Sequence, residues 1–565
     1  MRRFRALEKR LSRDPELQKR VNDQVENYEK KQYISKVSQE EFAKLNPHRV
    51  WYLPLGVVIN PKKPTKIRMV WDAAAKTSGV CFNDMLLNGP DLLVSLMEVL
   101  LRFRQGKVAV CSDIREMFLR ILIRDEDRWS QCFLWRRSPE EDVQVYVINV
   151  AMFGATSSPC TAQFVKNWNA SSYSEKYPRA AEAITMNHYV DDFLDSVNSV
   201  EEAATLVRQV QIIHEAAGFQ FGKILSNEQK VLELLGETIS ATSKSLPVDK
   251  DGTYERVLGV MWIPSGDIFT FNKKGMEEDL GTDVTVPMKR QVLRIIMKLY
   301  DPLGFVAHFV VQGKILMQEI WRTGTNWDEP IVGQLNDLWT RWVEQYRKIN
   351  EVSVPRCFFK NFCPRNIGDI QVHVFTDASV SACACVAYLR VTVDGMSHCS
   401  LIAAKTKVAP LRTLSIPRLE LQAAMMGSRL LQSICSALTI NIQKRFLWTD
   451  SATVLAWLRS DNRRFHQFVS YRVGEILSLT SVDEWRYVYS RENVADDATK
   501  WNGGPSFEPD CRWYQGSPFL QDPESQWPTE RTEDAGEANI GSEEIMVVAV
   551  HRPTEEVVDV QRFSN

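Results

Sequence analysis

The sequence lacks long hydrophobic runs, paired cysteines and an N-terminal signal. No stretch reaches the ~18 apolar residues of a membrane-spanning helix, so no membrane partner is expected. The 11 cysteines include no Cys-x-x-Cys pair, which favours a reduced intracellular compartment. Charged residues follow Met1 directly, without the apolar segment of a secretory signal. These absences together predict a cytoplasmic protein.

The sequence also lacks a strong excess of charge of one sign, with a net charge of −2. This small value conceals an asymmetry along the chain. Residues 503–565 hold 13 acidic and 4 basic side chains, so the first 502 residues carry a net charge of +7. A mildly basic body suits a polyanionic partner.

Length and composition predict an ordinary globular protein of several domains. The chain has 565 residues, of which 44% are hydrophobic and 25% are charged. The pattern of apolar residues divides it into five segments: a helical lead-in (1–50), a mixed region of strands and helices (51–285), a mostly helical region (286–365), a compact α/β unit (366–502) and an acidic, largely disordered tail (503–565).

Three aspartates in the front half form a first candidate site. Asp113 ends an apolar strand, and Asp191 and Asp192 follow Tyr189-Val190 at the predicted tip of a hairpin. Carboxylates are the ligands that Mg²⁺ prefers, and two such ions can activate a 3′-hydroxyl and stabilise a leaving pyrophosphate. Paired aspartates are also common at turns for purely structural reasons, so this pattern alone leaves both interpretations open.

Four carboxylates in the back half form a second candidate site. Asp377 and Asp450 each end a predicted strand, while Glu420 and Asp496 lie on predicted helices. Taken singly, Glu420 could be a solvated helix residue and Asp496 a charge favoured at a helix N-terminus. As an ordered set on two strand ends and two helices, the four acids predict a site for two Mg²⁺ ions around a scissile phosphate.

The strings around these acids are similar to known families. Residues 51 to about 272 resemble a reverse transcriptase. The resemblance is carried by the strings KIRMVWD, DIREMF, FGATSSP, YVDD and LGV, which follow one another as the motifs of such enzymes do. Phe153 departs from the glutamine that retroviral enzymes have there. The resemblance implies catalytic roles for Asp113, Asp191 and Asp192. It also implies nucleotide contacts from five residues: Arg68, Ile114, Phe118, Gly154 and Lys223.

The back half resembles ribonuclease H, which implies that Asp377, Glu420, Asp450 and Asp496 are catalytic metal ligands. A histidine that many such enzymes have near the fourth acid is absent here. Over nearly its whole length the chain resembles polyproteins of BEL/Pao long-terminal-repeat retrotransposons, through the strings WYLP, RMVWDAAAKTSGVCFNDMLLNGPDLL, HYVDDFLDS, LYDPLGF, SIPRLELQAA, WTDSATVLAWLRS and NVADDATK.

The resemblance implies a multidomain α+β and α/β fold, in which a right-hand polymerase is followed by a ribonuclease H-like domain. Residues 51–285 would be fingers and palm, 286–365 thumb and connection, and 366–502 the ribonuclease H-like domain. The tail from 503 would lead towards a missing integrase. The implied function is an RNA-directed DNA polymerase with attached ribonuclease H, using two Mg²⁺ per site with Mn²⁺ as a substitute.

The implied partners are the RNA template, the DNA primer strand, the RNA–DNA hybrid and dNTPs, together with the gag and integrase portions of the same element. Cytoplasmic virus-like particles are the implied location. Two other interpretations remain open. The chain could be an inactive fragment of a decayed element that binds nucleic acid, or a Pao-type aspartic peptidase. The second is disfavoured because the sequence has no Asp-Ser-Gly or Asp-Thr-Gly triplet.

Overall fold

The computed structural model describes residues 1–43, 49–60, 63–236, 255–271, 286–359, 367–460, 464–500 and 504–529. No helix within these ranges is both long and apolar enough to cross a membrane. The chain divides into two compact mixed α/β units. The first contains Met1–Asn272, Ser353–Asn361 and Ser436–Ile440, and the second contains Lys273–Val352, Phe362–Cys435 and Asn441–Asn565.

The first unit begins with the predicted helical lead-in, which also contributes a strand. Its elements are α1 (Arg2–Leu11), α2 (Pro15–Lys30), β1 (Ile34–Lys36) and α3 (Gln39–Ala43). Asp14 caps α2 by accepting a hydrogen bond from the Leu17 amide at 2.9 Å, and Pro15 occupies the first helical position. Leu17, Val21 and Val25 recur at four-residue spacing and are buried, so one face of α2 packs into the core.

Twelve further strands of the first unit form several small sheets. They are β2 (Leu55–Asn60), β3 (Lys63–Trp71), β4 (Val108–Asp113), β5 (Cys132–Trp135), β6 (Gln144–Ile148), β7 (His188–Tyr189), β8 (Asp192–Val197), β9 (Leu225–Ser226), β10 (Glu255–Val257), β11 (Val260–Ile263), β12 (Ile268–Thr270) and β13 (Val354–Pro355). The strand orders are β1-β6-β5, β2-β3, β7-β8-β4-β9 and β10-β11-β12-β13. The central strands of the third sheet, β8 and β4, carry Asp192 and Asp113 of the first aspartate set.

Five further helices of the first unit pack against that sheet or against one another. They are α4 (Leu96–Phe103), α5 (Ser158–Ser171), α6 (Pro178–Met186), α7 (Val200–Ala216) and α8 (Gln229–Leu234). Ser199 caps α7 by accepting from the Glu202 amide at 3.2 Å. Val110 and Phe193, on β4 and β8, share one core with Val207 and Val210 of α7. This packing holds the two strands that end at the aspartates.

The sheet β10-β11-β12-β13 combines segments that lie far apart in sequence. Leu258 and Gly259, with φ of 50° and 85°, form the two-residue turn between β10 and β11. Val354 on β13 pairs with Phe269 on β12. Part of the predicted thumb and connection (286–365), Ser353–Asn361, therefore belongs to the first unit.

The second unit is built on a five-stranded sheet. Its strands are β14 (Ile367–Ala378), β15 (Ala382–Val393), β16 (Met396–Val408), β17 (Lys444–Thr449) and β18 (Trp485–Tyr487). The order is β16-β15-β14-β17-β18, in which the first three strands are antiparallel and the last two pairings are parallel. Because β14 and β17 run side by side in the same direction, their carboxyl ends meet at one edge of the sheet.

Helices surround this sheet and include the mostly helical region. They are α9 (Lys289–Lys298), α10 (Ala307–Arg322), α11 (Gln334–Tyr346), α12 (Ile416–Ala437), α13 (Ala452–Arg459), α14 (Gln467–Leu479), α15 (Asp496–Thr499) and α16 (Arg512–Gln515). The Ala404 amide donates to the Leu303 carbonyl at 2.8 Å, and Gln318 donates to the Ala409 carbonyl at 2.8 Å. Residues 286–352 thus belong to the sheet-containing unit, whereas the sequence analysis predicts a separate thumb and connection from 286 to 365.

The prediction of a largely disordered tail from residue 503 is wrong for residues 504–529. The Trp513 indole donates to the Phe305 carbonyl at 2.9 Å, and Arg390 donates to the Leu520 carbonyl at 2.7 Å. Trp527 packs on Trp448 and is buried. A few large aromatic side chains anchor this polar segment, because each buries a large apolar area. The rest of the predicted tail, 530–565, lies outside the described residues.

Candidate active sites

The first aspartate set lies at the ends of β4 and β8. Asp113 is the last residue of β4 and lies directly opposite Asp192 in the antiparallel ladder. Asp191 occupies the turn, where Val190 adopts a left-handed φ of 58°. The Asp191 carbonyl accepts a hydrogen bond from the Ile114 amide at 2.8 Å. The structure therefore brings the three predicted aspartates together at one end of the sheet.

Burial and mutual repulsion disfavour the ionised forms of two of these carboxyls. Burial raises the pKa of Asp191, and the charge of Asp113 raises it further. Burial also raises the pKa of Asp192 to about 6, with additional contributions from Asp191 and Asp113. Acidic groups that destabilise one another in this way are suited to bind a cation, which would relieve the repulsion.

Gly222 contributes to this site, although the sequence gives no sign of it. Its amide donates to the Asp113 carbonyl at 2.6 Å. A Cβ atom at this position would lie 1.9 Å from Asp113 Oδ1, so only glycine leaves room for the carboxylate. The contact joins segments more than 100 residues apart, and no local pattern could have revealed it.

The five predicted nucleotide-binding residues lie on different elements of the first unit. Arg68 is exposed on β3, and Lys223 is exposed directly after Gly222. Ile114 is buried beside Asp113. Phe118 is half-buried, and Gly154 adopts a φ of 101° in the loop before α5.

The second acid set converges at the carboxyl edge of the five-stranded sheet. Asp377 lies near the end of β14, Asp450 follows β17, and Asp496 begins α15. One ligand oxygen from each of these three lies within 4.8 Å of the other two. Among the described residues, this is the one carboxylate group that meets such a spacing; the first aspartate set does not.

Burial and the crowding of like charges raise the pKa of three acids of the second set: Asp377, Glu420 and Asp496. Burial, followed by the charges of Asp496 and Asp450, raises the pKa of Asp377 to about 8. Burial also raises the pKa of Asp496, although the Lys500 ammonium opposes this shift. The pKa of Glu420 is raised by burial and, to a lesser extent, by the charge of Asp450. Glu420 therefore shares the electrostatic environment of the cluster.

Four polar residues orient these carboxylates, and the sequence analysis assigns none of them. Asn493 is fully buried and donates to Asp450 Oδ1 at 3.2 Å and to the Thr376 carbonyl at 3.1 Å. The Ser490 hydroxyl donates to the second oxygen of Asp450, and the Thr499 hydroxyl donates to Asp377. Lys500 donates to Asp496 at 2.8 Å. The sequence could have pointed to these four residues only through their closeness to Asp496, the fourth acid, in the string SRENVADDATK.

The donor set of the second site fits a hard divalent cation. Its ligand atoms are all carboxylate oxygens, which Mg²⁺ and Mn²⁺ both accept. The Oδ1 atom of Asp496 is buried and accepts no hydrogen bond from any described residue. A buried carboxylate oxygen without a donor is costly, and a bound cation would satisfy it.

Comparison with known proteins agrees with this architecture. Residues 288–451 match the family model described as the Pao retrotransposon-like RNaseH-like domain. No curated protein matches the chain.

Solved structures of the foamy viral protease-reverse transcriptase are similar in fold. One complex with double-stranded DNA has a TM-score of 0.51 at 15% identity and covers 83% of this chain and 82% of that chain. The complex with an RNA/DNA hybrid has a TM-score of 0.53 at 14% identity and covers 86% of this chain but 55% of that chain.

The family match covers α9 to α12 and β14 to β17, and ends just after Asp450. It thus includes three of the four acids of the second set. The viral structures extend the similarity of fold over most of the first unit as well. Residues 288–451 are therefore similar to the Pao retrotransposon-like RNaseH-like domain, and most of the chain is similar in fold to the foamy viral protease-reverse transcriptase.

Proposed function

We propose that this chain is an RNA-directed DNA polymerase with an attached ribonuclease H, which copies retrotransposon RNA into DNA. The observation that carries the proposal is the presence of a carboxylate set in each compact unit, at strand ends that the fold brings together. The two activities would therefore have separate sites that share no ligand.

In the first unit, Asp113, Asp191 and Asp192 would hold the ions for DNA synthesis, and in the second Asp377, Glu420, Asp450 and Asp496 would hold those for RNA cleavage. Bound Mg²⁺, or Mn²⁺ in its place, would supply charge neutralisation at the reacting phosphate and activation of the attacking oxygen. The chain's own contribution is to gather carboxylates that repel one another and to fix their orientation.

At the nuclease site this orientation comes from hydrogen bonds. Asn493 joins Asp450 to the backbone of β14, so the ends of β14 and β17 are held in one position. Thr499 fixes Asp377 from α15. Lys500 offsets part of the negative charge until a cation and the phosphate arrive.

At the polymerase site the neighbouring residues would select the nucleotide. Arg68 and Lys223 would contact the triphosphate, and Ile114 and Gly154 would line the nucleotide site through their backbones. Phe118, five residues after Asp113, would occupy the space that a ribose 2′-hydroxyl needs. The RNA template, DNA primer strand, RNA–DNA hybrid and dNTPs are the proposed partners.

The test is to inactivate each site separately in the full chain. Asp191→Asn should reduce primer extension by orders of magnitude and leave RNA cleavage in an RNA–DNA hybrid intact. Asp450→Asn should do the reverse. Each change removes one charge from a carboxylate set while keeping the size of the side chain.

The measurement is primer extension and hybrid cleavage by the same purified preparations in the presence of Mg²⁺. Loss of both activities in either folded variant would contradict two independent sites. Absence of both activities from the wild-type chain, with retained nucleic-acid binding, would instead identify an inactive fragment of a decayed element.

A further inference from the structure

The loop before α5 holds Phe153 in a fixed backbone position. Asn83 donates its side-chain amide to the Gly154 carbonyl at 3.0 Å and accepts from the Thr156 amide at 3.1 Å. The Ser158 hydroxyl donates to the Met152 carbonyl at 2.7 Å. Hydrogen bonds therefore fix the backbone on both sides of Phe153, and this fixes the direction of its Cα–Cβ bond.

Gly154 permits this loop conformation. Its φ of 101° lies in a region that residues with a side chain rarely adopt. A Cβ there would also stand 3.4 Å from the Trp71 carbonyl oxygen. Glycine at this position therefore allows the backbone turn that places Phe153 beside its neighbours.

The Phe153 ring contacts Phe118 edge to face. Their centroids are 4.8 Å apart and their planes meet at 70°, an arrangement that aromatic pairs prefer. Phe118 also packs against the cluster that contains Ile114 and Met117. The Phe118 ring is therefore held between a buried core and Phe153.

Phe153 itself is 48% exposed. A half-exposed ring on a constrained loop contributes little to the core, so its contact with Phe118 is its main packing role. Phe153 also occupies the position where the resemblance to retroviral enzymes leads one to expect a glutamine, whose side chain could not make an edge-to-face ring contact.

We infer that Phe153 is a positioning residue for sugar selection: it holds the Phe118 ring where that ring excludes a ribose 2′-hydroxyl. This inference rests on the proposed polymerase function and on Phe118 as the excluding side chain. Without Phe153, the Phe118 ring could rotate toward the space that Phe153 leaves. Ribonucleotides would then enter more easily, although Phe118 itself is unchanged.

The test compares incorporation of one ribonucleotide and its deoxyribonucleotide by four full-length variants: Phe153→Ala, Phe153→Leu, Phe118→Val and the double variant Phe153→Ala/Phe118→Val. An edge-to-face pair is typically worth a factor of about 2 to 12 at room temperature. Phe153→Ala should raise the ratio of ribonucleotide to deoxyribonucleotide kcat/KM by about this factor. Phe153→Leu should give a smaller rise.

The double variant supplies the decisive comparison. If Phe153 acts through Phe118, then adding Phe153→Ala to Phe118→Val should leave the ratio of Phe118→Val unchanged. Phe164→Ala is a matched control, because Phe164 is a half-exposed ring on α5 that pairs with Trp168 at 5.9 Å. It should not alter the ratio.

Three results would overturn the inference while leaving the polymerase function intact. In the first, Phe118→Val relaxes sugar choice, whereas Phe153→Ala leaves the ratio unchanged or lowers kcat/KM equally for both sugars. In the second, Phe153→Ala adds its full effect to that of Phe118→Val. In the third, Phe118→Val leaves the ratio unchanged, so that Phe118 is not the excluding side chain and the inference fails with it. If the wild type cannot extend a primer, the proposed function fails as well.

Discussion

Asp377 is the most buried acid of the second set, with 3% of its surface exposed. Burial and then the charges of Asp496 and Asp450 raise its pKa to about 8, from an ordinary value of 3.8. The folded protein without metal therefore holds a proton at this carboxyl that the unfolded chain releases. This group contributes stability below about pH 4, and the contribution is lost as the pH rises through about 8.

The first prediction follows from the direction of this pKa shift. Without divalent metal, the melting temperature of the second unit should fall as the pH rises from about 5 to 8, and Asp377→Asn should flatten this dependence. The affinity for Mg²⁺ should increase over the same range, because the ion competes with the proton. Calorimetric scans with EDTA or with Mg²⁺ measure both effects. A pH dependence that Asp377→Asn leaves unchanged would contradict the assignment.

Gly222 gives a second prediction at the scale of one residue. In Gly222→Ala the new methyl group would collide with Asp113 Oδ1, so primer extension should fall by orders of magnitude while hybrid cleavage persists. Gly266→Ala is the matched control, since its Cβ would meet Ile268 at an ordinary contact distance of 3.5 Å. Wild-type extension by Gly222→Ala would show that the Asp113 carboxylate does not need this position.

Among individual residues, the acids could be predicted from the sequence and their supporting groups could not. Asp191 and Asp377 stand in strings whose residue types are informative by themselves. Gly222, Asn493 and Thr499 are common residues whose role depends on which strand end they approach. That information is absent until distant segments pack together.

Among the elements, the sheet β10-β11-β12-β13 depends on a buried arginine. Arg356 is fully buried and uses all its side-chain donors: it binds both Asp267 oxygens, at 2.6 and 2.8 Å, and donates to three backbone carbonyls, those of Phe103, Gly106 and Lys107. Asp267 also accepts from the Trp262 indole at 3.1 Å. Arg356 thus attaches the β11–β12 hairpin to the end of α4.

The third prediction concerns this anchor. Arg356→Met should destabilise the first unit by about 3–5 kcal/mol, because it leaves Asp267 buried without its charge partner. Urea unfolding, followed by hydrogen exchange in residues 255–271, should show the loss. Asp267→Asn/Arg356→Met should be less destabilised than the single Arg356→Met variant, since it removes the unpaired charge. If both variants unfold like the wild type, the hairpin does not rely on this anchor.

The elements of the sheet-containing second unit were largely predictable, because its strands are long and alternate with amphipathic helices. The two-residue strand β13 was not. Val354 and Pro355 have no periodicity, and they count as a strand only because β12 lies beside them. Short elements of this kind take their conformation from tertiary contacts.

At the scale of the whole molecule, residues 504–529 complete the second unit. The Tyr388 hydroxyl donates a hydrogen bond to the Trp513 carbonyl at 2.7 Å, and Phe519 packs on Trp448. Polar composition predicts disorder for this stretch, yet the buried aromatic side chains of Trp513, Phe519 and Trp527 anchor it to the second unit. Composition is an average over many residues, so it does not reveal a few aromatic side chains that are buried in the folded protein.

The fourth prediction uses two truncations. A chain ending at residue 529 should keep the stability and hybrid cleavage of the full chain. A chain ending at residue 503 should lose much of both, because it exposes the aromatic cluster around Trp448 and Tyr388, while its primer extension remains. Melting curves and the two activity assays on both chains measure the difference. Equal stability of the two truncations would show that residues 504–529 are dispensable.

The interleaved path of the chain has a consequence for synthesis on the ribosome. The first unit lacks β13 and Arg356 until translation has passed residue 356, although the sheet that carries its aspartates is complete by residue 226. At roughly 5–20 residues per second, the nascent first unit would wait on the order of ten seconds for its last strand. During that interval the open edge of β12 is available to other chains, so the correct partner must reach it in competition with aggregation.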